Sequence, residues 1–201
     1  VSEVVIVDSG GANLGSVRNA LARLGVAATL TLDAQRIRRA ARVLLPGVGA
    51  AAPVMRRLRE AGLVEVLRTL QAPLLGICVG MQVLFERSEE GDVAGLGLLP
   101  GAVRRMVAAP GLRLPHMGWN RLRRERDSPL LDGLGDGTRM YFVHGYAAAA
   151  ERADCVASVD YGARHCALVV RGNVAGVQFH PERSGAAGAR LLSNFLAWQP
   201  T

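Results

Sequence analysis

At 201 residues, half of them hydrophobic and 20% charged, the chain can bury one full core and has no apolar run fit to span a bilayer. Its formal charge is +7, yet all 24 basic residues are arginine, dispersed in clusters at 36–42, 56–59 and 121–126. Only 4% of the chain is aromatic, so the clusters read as solvated faces and nucleic-acid or membrane binding is not expected. Three cysteines and four histidines at unrelated spacings make neither a disulfide framework nor a zinc site, and no secretion signal is read at the start. A cytoplasmic protein with no metal and no cofactor is expected.

Residues 4–8 read as a short apolar strand ending in Asp8-Ser9-Gly10-Gly11-Ala12-Asn13. Leu14, Val17, Leu21 and Leu24 follow at helical spacing, and Gly25 stops that helix. The glycines at 10, 11 and 15 do not make the dinucleotide fingerprint, and there is no P-loop lysine. A second strand is expected over 28–32, a short basic helix over 35–41, and a third strand over 43–45 running into Pro46-Gly47-Val48-Gly49. A helical segment over 54–70 has an imperfect pattern, and Gly62 bends or breaks it. Strands alternating with helices through the first ninety or so residues argue for a parallel sheet covered on both faces.

The stretch Leu74-Leu75-Gly76-Ile77-Cys78-Val79-Gly80-Met81-Gln82 organises the rest. An apolar strand over 73–77 passes into a helix over 80–86, with Met81, Leu84 and Phe85 at helical spacing. Cys78 stands at the turn between Gly76 and Gly80, the thiol counterpart of a serine nucleophile elbow. The glycines allow strand and helix to approach closely, and the helix N-terminus favours a thiolate.

The second half changes character. Residues 102–107 and 114–122 read as extended, 140–146 and 154–159 as strands. A hairpin is expected from 165–170 and 174–179 about Arg171-Gly172-Asn173, and a closing helix over 188–198 turns Leu191, Leu192, Phe195 and Leu196 inward. With no repeat or linker, a single domain over 1–201 is expected, its mixed or antiparallel half grafted onto the parallel one.

A cysteine nucleophile needs a base, and the base needs an orienter. His180-Pro181-Glu182 supplies both, because residues two apart in an extended chain point to the same side and Pro181 holds the stretch extended. For an oxyanion, the Val79 N–H is one donor, and the loop with Val48 and Gly49 offers a second.

Taken together, Gly76–Gln82, Pro46-Gly47-Val48-Gly49 and Gln178-Phe179-His180-Pro181-Glu182 resemble the class I (triad) glutamine amidotransferases. Leu114-Pro115-His116-Met117-Gly118-Trp119-Asn120 and Tyr141-Phe142-Val143-His144-Gly145-Tyr146 narrow the likeness to the glutaminase subunits of imidazole glycerol phosphate synthases, from about Val4 to Trp198. The resemblance implies a flavodoxin-like α/β fold that hydrolyses glutamine to glutamate and ammonia through a cysteine thioester. It implies delivery of that ammonia to a (β/α)8-barrel cyclase subunit, as a heterodimer, for histidine biosynthesis. By motif position Cys78 is the nucleophile, His180 the base and acid, and Glu182 the orienter. Gly47, Gln82, Glu90 and Tyr146 would hold the glutamine, and Asn13, His116, Trp119, Tyr141 and Arg183 would lie at the docking face. Ser9, Ala12, Val79, Gly145 and Arg183 depart from the family's usual residues, but none is a triad member. The rivals are the glutaminase of another synthase, such as the one making pyridoxal phosphate, a docking module without catalysis, and a cysteine hydrolase of the same fold.

Overall fold

The computed structural model describes residues 3–11, 13–108 and 110–200. The first half alternates as its hydrophobic pattern requires: β1 (Val4–Val7), α1 (Leu14–Arg23), β2 (Ala28–Thr31), α2 (Ala34–Arg39), β3 (Arg42–Gly47), α3 (Ala51–Glu60), α4 (Val64–Arg68) and β4 (Leu74–Cys78). The helical segment over 54–70 is broken at Gly62, as its pattern suggests, into two helices, and the Gly62 φ of 67° belongs to the left-handed region that glycine tolerates.

After β4 come α5 (Val79–Gln82), β5 (Phe85–Ser88), β6 (Val93–Ala94), β7 (Leu99–Arg105), β8 (His116–Arg121) and β9 (Arg123–Arg124). Then follow β10 (Arg139–His144), β11 (Tyr146–Ala147), β12 (Cys155–Tyr161), β13 (Ala163–Arg171), β14 (Val174–Val177) and α6 (Gly185–Ala197). One expectation fails here. The helix read over 80–86 is a single turn, and Phe85 begins a strand instead. Met81, Leu84 and Phe85 are all fully buried, so their spacing reflects burial on every side rather than one helical face. Four residues also give a small helix dipole, so the turn's N-terminus contributes little to a thiolate.

The main sheet has eight strands in the order β2-β1-β3-β4-β14-β13-β12-β9. From β2 to β14 neighbouring strands run parallel, and beyond β14 they run antiparallel. This is the mixed half grafted onto a parallel one that the sequence leads one to expect, with β13 and β14 as the expected hairpin. β1, β4 and β14 are buried at every position, and because successive side chains point to opposite faces, both faces of the sheet are covered. Two smaller sheets, β10 with β8 and β11-β7-β5-β6, complete the fold. No helix among the described residues is long and apolar enough to cross a membrane.

Register places the chemistry. Gly47 lies level with Cys78 across β3 and β4, and Val177 lies level with Ile77 across β14 and β4. The loop after β3 and the chain leaving β14 therefore flank the cysteine at the carboxyl ends of adjacent strands.

Candidate active site

Cys78 has φ 56° and ψ −111°, a backbone conformation that costs a non-glycine residue about 1–3 kcal/mol. The surroundings enforce it by close packing. A Cβ on Gly76 would lie 2.6 Å from the Gly80 carbonyl oxygen, and one on Gly80 would collide with the Leu45 carbonyl. The two elbow glycines thus pay for contact between the turn, its own strand and β3. The sulfur is buried and lies 3.6 Å from the Val143 carbonyl oxygen of β10.

The segment carrying His180 is not held extended by Pro181 but turns into a 3-10 helix over Pro181–Arg183. The Arg183 N–H closes that turn by donating to the His180 carbonyl at 3.0 Å, and the segment is stitched to β10. The His180 N–H donates to the Tyr141 carbonyl at 2.8 Å, the Tyr141 N–H donates to Ser184 Oγ at 3.0 Å, and Ser184 Oγ donates to the His180 carbonyl at 2.7 Å. His180 Nδ1 sits 2.8 Å from Glu182 Oε1, with the Glu182 side chain wholly buried. Burial opposes a charged imidazole, but hydrogen bonds to the Cys78 sulfur and to Glu182, with their negative charge, outweigh it. The His180 pKa is pushed up to about 10. The arrangement is an imidazolium oriented by a carboxylate and set beside the nucleophile, an acid ready for a leaving amine. Among the described residues, Glu182 Oε2 is buried with no hydrogen-bond partner.

Around this pair, Ser9 is buried and its hydroxyl donates to the Pro46 carbonyl, pinning the start of the Pro46-Gly47-Val48-Gly49 loop. Ala12, another departure in the same turn, lies outside the described residues. Gly49 has φ 86° and open space about it. Gly145 leaves only an ordinary contact with Pro115, at 3.8 Å, for any added Cβ.

Gln82 is buried. Its Nε2 donates to the Tyr146 carbonyl at 3.0 Å and to Gln178 Oε1 at 3.1 Å, leaving its own Oε1 unpartnered among the described residues. Glu90 accepts the Ala51 N–H at the start of α3 at 3.2 Å; burial raises its carboxyl pKa and that hydrogen bond opposes the rise.

The residues expected at a docking face divide. Trp119 is half exposed, packs edge-on against Tyr141 at 5.9 Å, and Met117 is exposed beside it on β8. The Arg183 guanidinium stacks over the Tyr141 ring at 4.6 Å. Asn13 is buried instead, its Nδ2 3.4 Å from His180 Nδ1, beside an open cavity of about 470 Å³ that also touches Val48, Glu182 and Arg183. His116 does not belong to the surface at all. It is buried, stacked between Phe142 and Tyr161 with centroids 4.9 and 4.0 Å away, and hydrogen-bonded to His144 at 3.0 Å. The resemblance grouped it with Trp119 at the docking face, but strand neighbours three apart point to opposite faces.

The family model of class I glutamine amidotransferases matches residues 5–198. The chain is a class I glutamine amidotransferase. Among the relatives of this amidotransferase is the imidazole glycerol phosphate synthase subunit HisH of Xanthomonas axonopodis pv. citri (strain 306), 60% identical over 196 residues and 98% of each chain. The subunit of the same name from Xylella fastidiosa (strain Temecula1) is 57% identical over the same share of each. Solved structures agree on the amidotransferase fold. A crystal structure of a glutamine amidotransferase superposes with a TM-score of 0.75 at 23% identity, covering 96% of this chain and 97% of the other. PurLQS from Thermotoga maritima gives 0.71 at 22% identity and 98% of each.

Proposed function

We propose that this amidotransferase is the glutamine-hydrolysing subunit of an imidazole glycerol phosphate synthase, supplying ammonia for histidine biosynthesis. The observation that carries the chemistry is the Cys78–His180–Glu182 alignment, with a strained nucleophile and a 2.8 Å imidazole–carboxylate bond. The choice of synthase rests on relatives about 60% identical over 98% of the chain. That likeness also speaks against the pyridoxal phosphate rival, and a complete triad speaks against a docking module without catalysis.

The Cys78 thiolate attacks the glutamine side-chain carbonyl carbon, forming a C–S bond while the carbonyl oxygen takes up charge. The Val79 N–H and an N–H from Val48 or Gly49 hold that oxyanion. His180, as imidazolium, gives its proton to the nitrogen, and the C–N bond breaks to release ammonia and leave a thioester. Now neutral, His180 takes a proton from water, the hydroxyl adds to the thioester, and glutamate departs as the thiolate and imidazolium are restored. Glu182 keeps the imidazole in the required orientation and offsets its charge. Gln82, through its unpaired Oε1, together with Gly47, Glu90 and Tyr146, holds the glutamine head group.

Ammonia passes to a (β/α)8-barrel cyclase subunit in a heterodimer, which makes imidazole glycerol phosphate and an aminoimidazole carboxamide ribotide. The half-exposed Trp119, Tyr141 and Arg183 cluster forms its docking face. Residues 1–201 act as one glutaminase domain in the cytoplasm. Glutamate release is measured for this chain alone and with a barrel subunit. Turnover that appears or rises with the barrel supports the reading; none under either condition rejects it.

A further inference from the structure

Gln178 has no part in the chemistry set out above, yet it is completely buried against the nucleophile. Its Nε2 lies 3.9 Å from Cys78 Sγ, within reach of an N–H···S bond, and its Oε1 accepts from Gln82 Nε2 at 3.1 Å. An amide can be turned end for end, so the direction needs its own argument. Gln82 supplies it, because its NH2 group also donates to the Tyr146 carbonyl at 3.0 Å. Both of its donors are committed to acceptors, and Gln178 must meet it with oxygen. Reversing Gln178 would oppose two NH2 groups and press an amide oxygen against the sulfur.

The order extends further. Tyr146 O also receives His144 Nδ1 at 2.9 Å, so the hydrogen sits on that nitrogen and His144 Nε2 is an acceptor. His116 Nδ1 donates to it at 3.0 Å, and Asn120 Nδ2 lies 3.4 Å from His116 Nε2. From Asn120 inward, each donor has a single acceptable direction, and the far end presents an N–H to Cys78.

We propose that Gln178 is a fourth catalytic side chain, a neutral N–H donor that touches the Cys78 sulfur and favours its thiolate. The proposal rests on the glutaminase reading. The Val143 carbonyl accepts from the thiol, whereas the Gln178 amide donates to the thiolate alongside His180. Because the donor carries no charge, it favours ionisation without a salt bridge that would have to break when the sulfur attacks. Loss of an N–H bond to a charged group costs roughly tenfold or more in the population it favours.

The test compares wild type, Gln178→Met (similar volume, no donor) and Gln178→Glu (same shape, an oxygen at the sulfur), each in complex with the barrel subunit. Alkylation of Cys78 by iodoacetamide is followed across pH by peptide mass spectrometry, beside kcat and KM for glutamine. Gln178→Met is expected to be alkylated about tenfold more slowly at pH 7, with its profile moved to higher pH. Its kcat should fall by a similar factor while KM stays within twofold or so. Gln178→Glu should be slower still at pH 7. An alkylation profile like that of wild type in either variant that keeps the wild-type circular dichroism spectrum overturns the proposal, even where kcat has dropped. The Glu variant, being isosteric, decides the matter where the Met variant does not fold. Failure of the glutaminase reading looks different: wild type itself would neither turn over glutamine nor be protected by glutamine from alkylation.

Discussion

At the scale of single residues, each side chain at the site is held by groups from other parts of the chain. Cys78 depends on glycines for its backbone angles, and His180 depends on Cys78 and Glu182 for its charge. Cys78→Ala should therefore abolish glutamine hydrolysis and glutamine-dependent synthesis while sparing synthesis from added ammonium salts, since only the ammonia source passes through the sulfur. A Cys78→Ala protein that still consumed glutamine would remove the assignment. Glu182→Gln should cost less than Cys78→Ala or His180→Ala. Its amide oxygen can still accept from His180 Nδ1 but no longer offsets the imidazolium, and loss of an orienter can reach ~10⁴-fold in serine proteases. Wild-type kcat in Glu182→Gln would show that the carboxylate takes no part.

At the scale of elements, the loop after β3 is the piece with freedom left to use. Its start is pinned by Ser9 at Pro46 and by register with Cys78, whereas Gly49 has a left-handed φ and open space. A peptide there can turn an N–H toward the thioester oxygen with little steric cost. One oxyanion donor contributes ~3–4 kcal/mol to the barrier at a comparable site, or a few hundredfold in rate. If the proposed barrel partner favours the loop state with the donor turned inward, the expected outcome is a glutaminase that is poor alone and speeds up when that partner carries the ribonucleotide. The measurement is kcat for glutamine hydrolysis in the free chain, with partner, and with partner plus nucleotide; equal values in all three exclude the switch.

At the scale of the molecule, the buried histidines set the pH range of stability. Burial holds His144 down at about 3 and His116 at about 4, so both stay neutral in the fold where an unfolded histidine takes a proton near 6.5. Their stabilising contribution is complete above pH 6.5 and is lost as pH falls toward about 4 for His116 and about 3 for His144. For His144 alone the loss by pH 5 is about 2 kcal/mol. His180 has the opposite sign: its raised pKa stabilises the fold fully below 6.5, and that contribution fades as pH climbs toward 10. Urea midpoints should thus be highest near neutrality and fall on both sides. A His144→Gln variant should show a weaker decline between pH 7 and 5, and a slope equal to that of wild type would contradict the account.

The sequence by itself determined the reaction, because the residues that make it occur in short contiguous runs. Glycines two positions either side of Cys78 announce the elbow, and His180-Pro181-Glu182 announces base and orienter, although these meet through a 3-10 turn over Pro181–Arg183 rather than along an extended strand. Gln178 lies in the same run, but its contact with the sulfur is visible only in the fold, because β14 ends at Val177 and the chain bends at Gln178 and Phe179. Alternating strands and helices likewise disclosed the parallel half, since hydrophobic periodicity is a local property. Only the tertiary structure decided the rest. That α5 is one turn, that His116 is interior, and that Ser9 reaches Pro46 all depend on contacts between residues distant in sequence. Burial from every side erases the periodicity that separates helix from strand. The direction of a buried hydrogen bond is likewise fixed only when its partner's own partners are known.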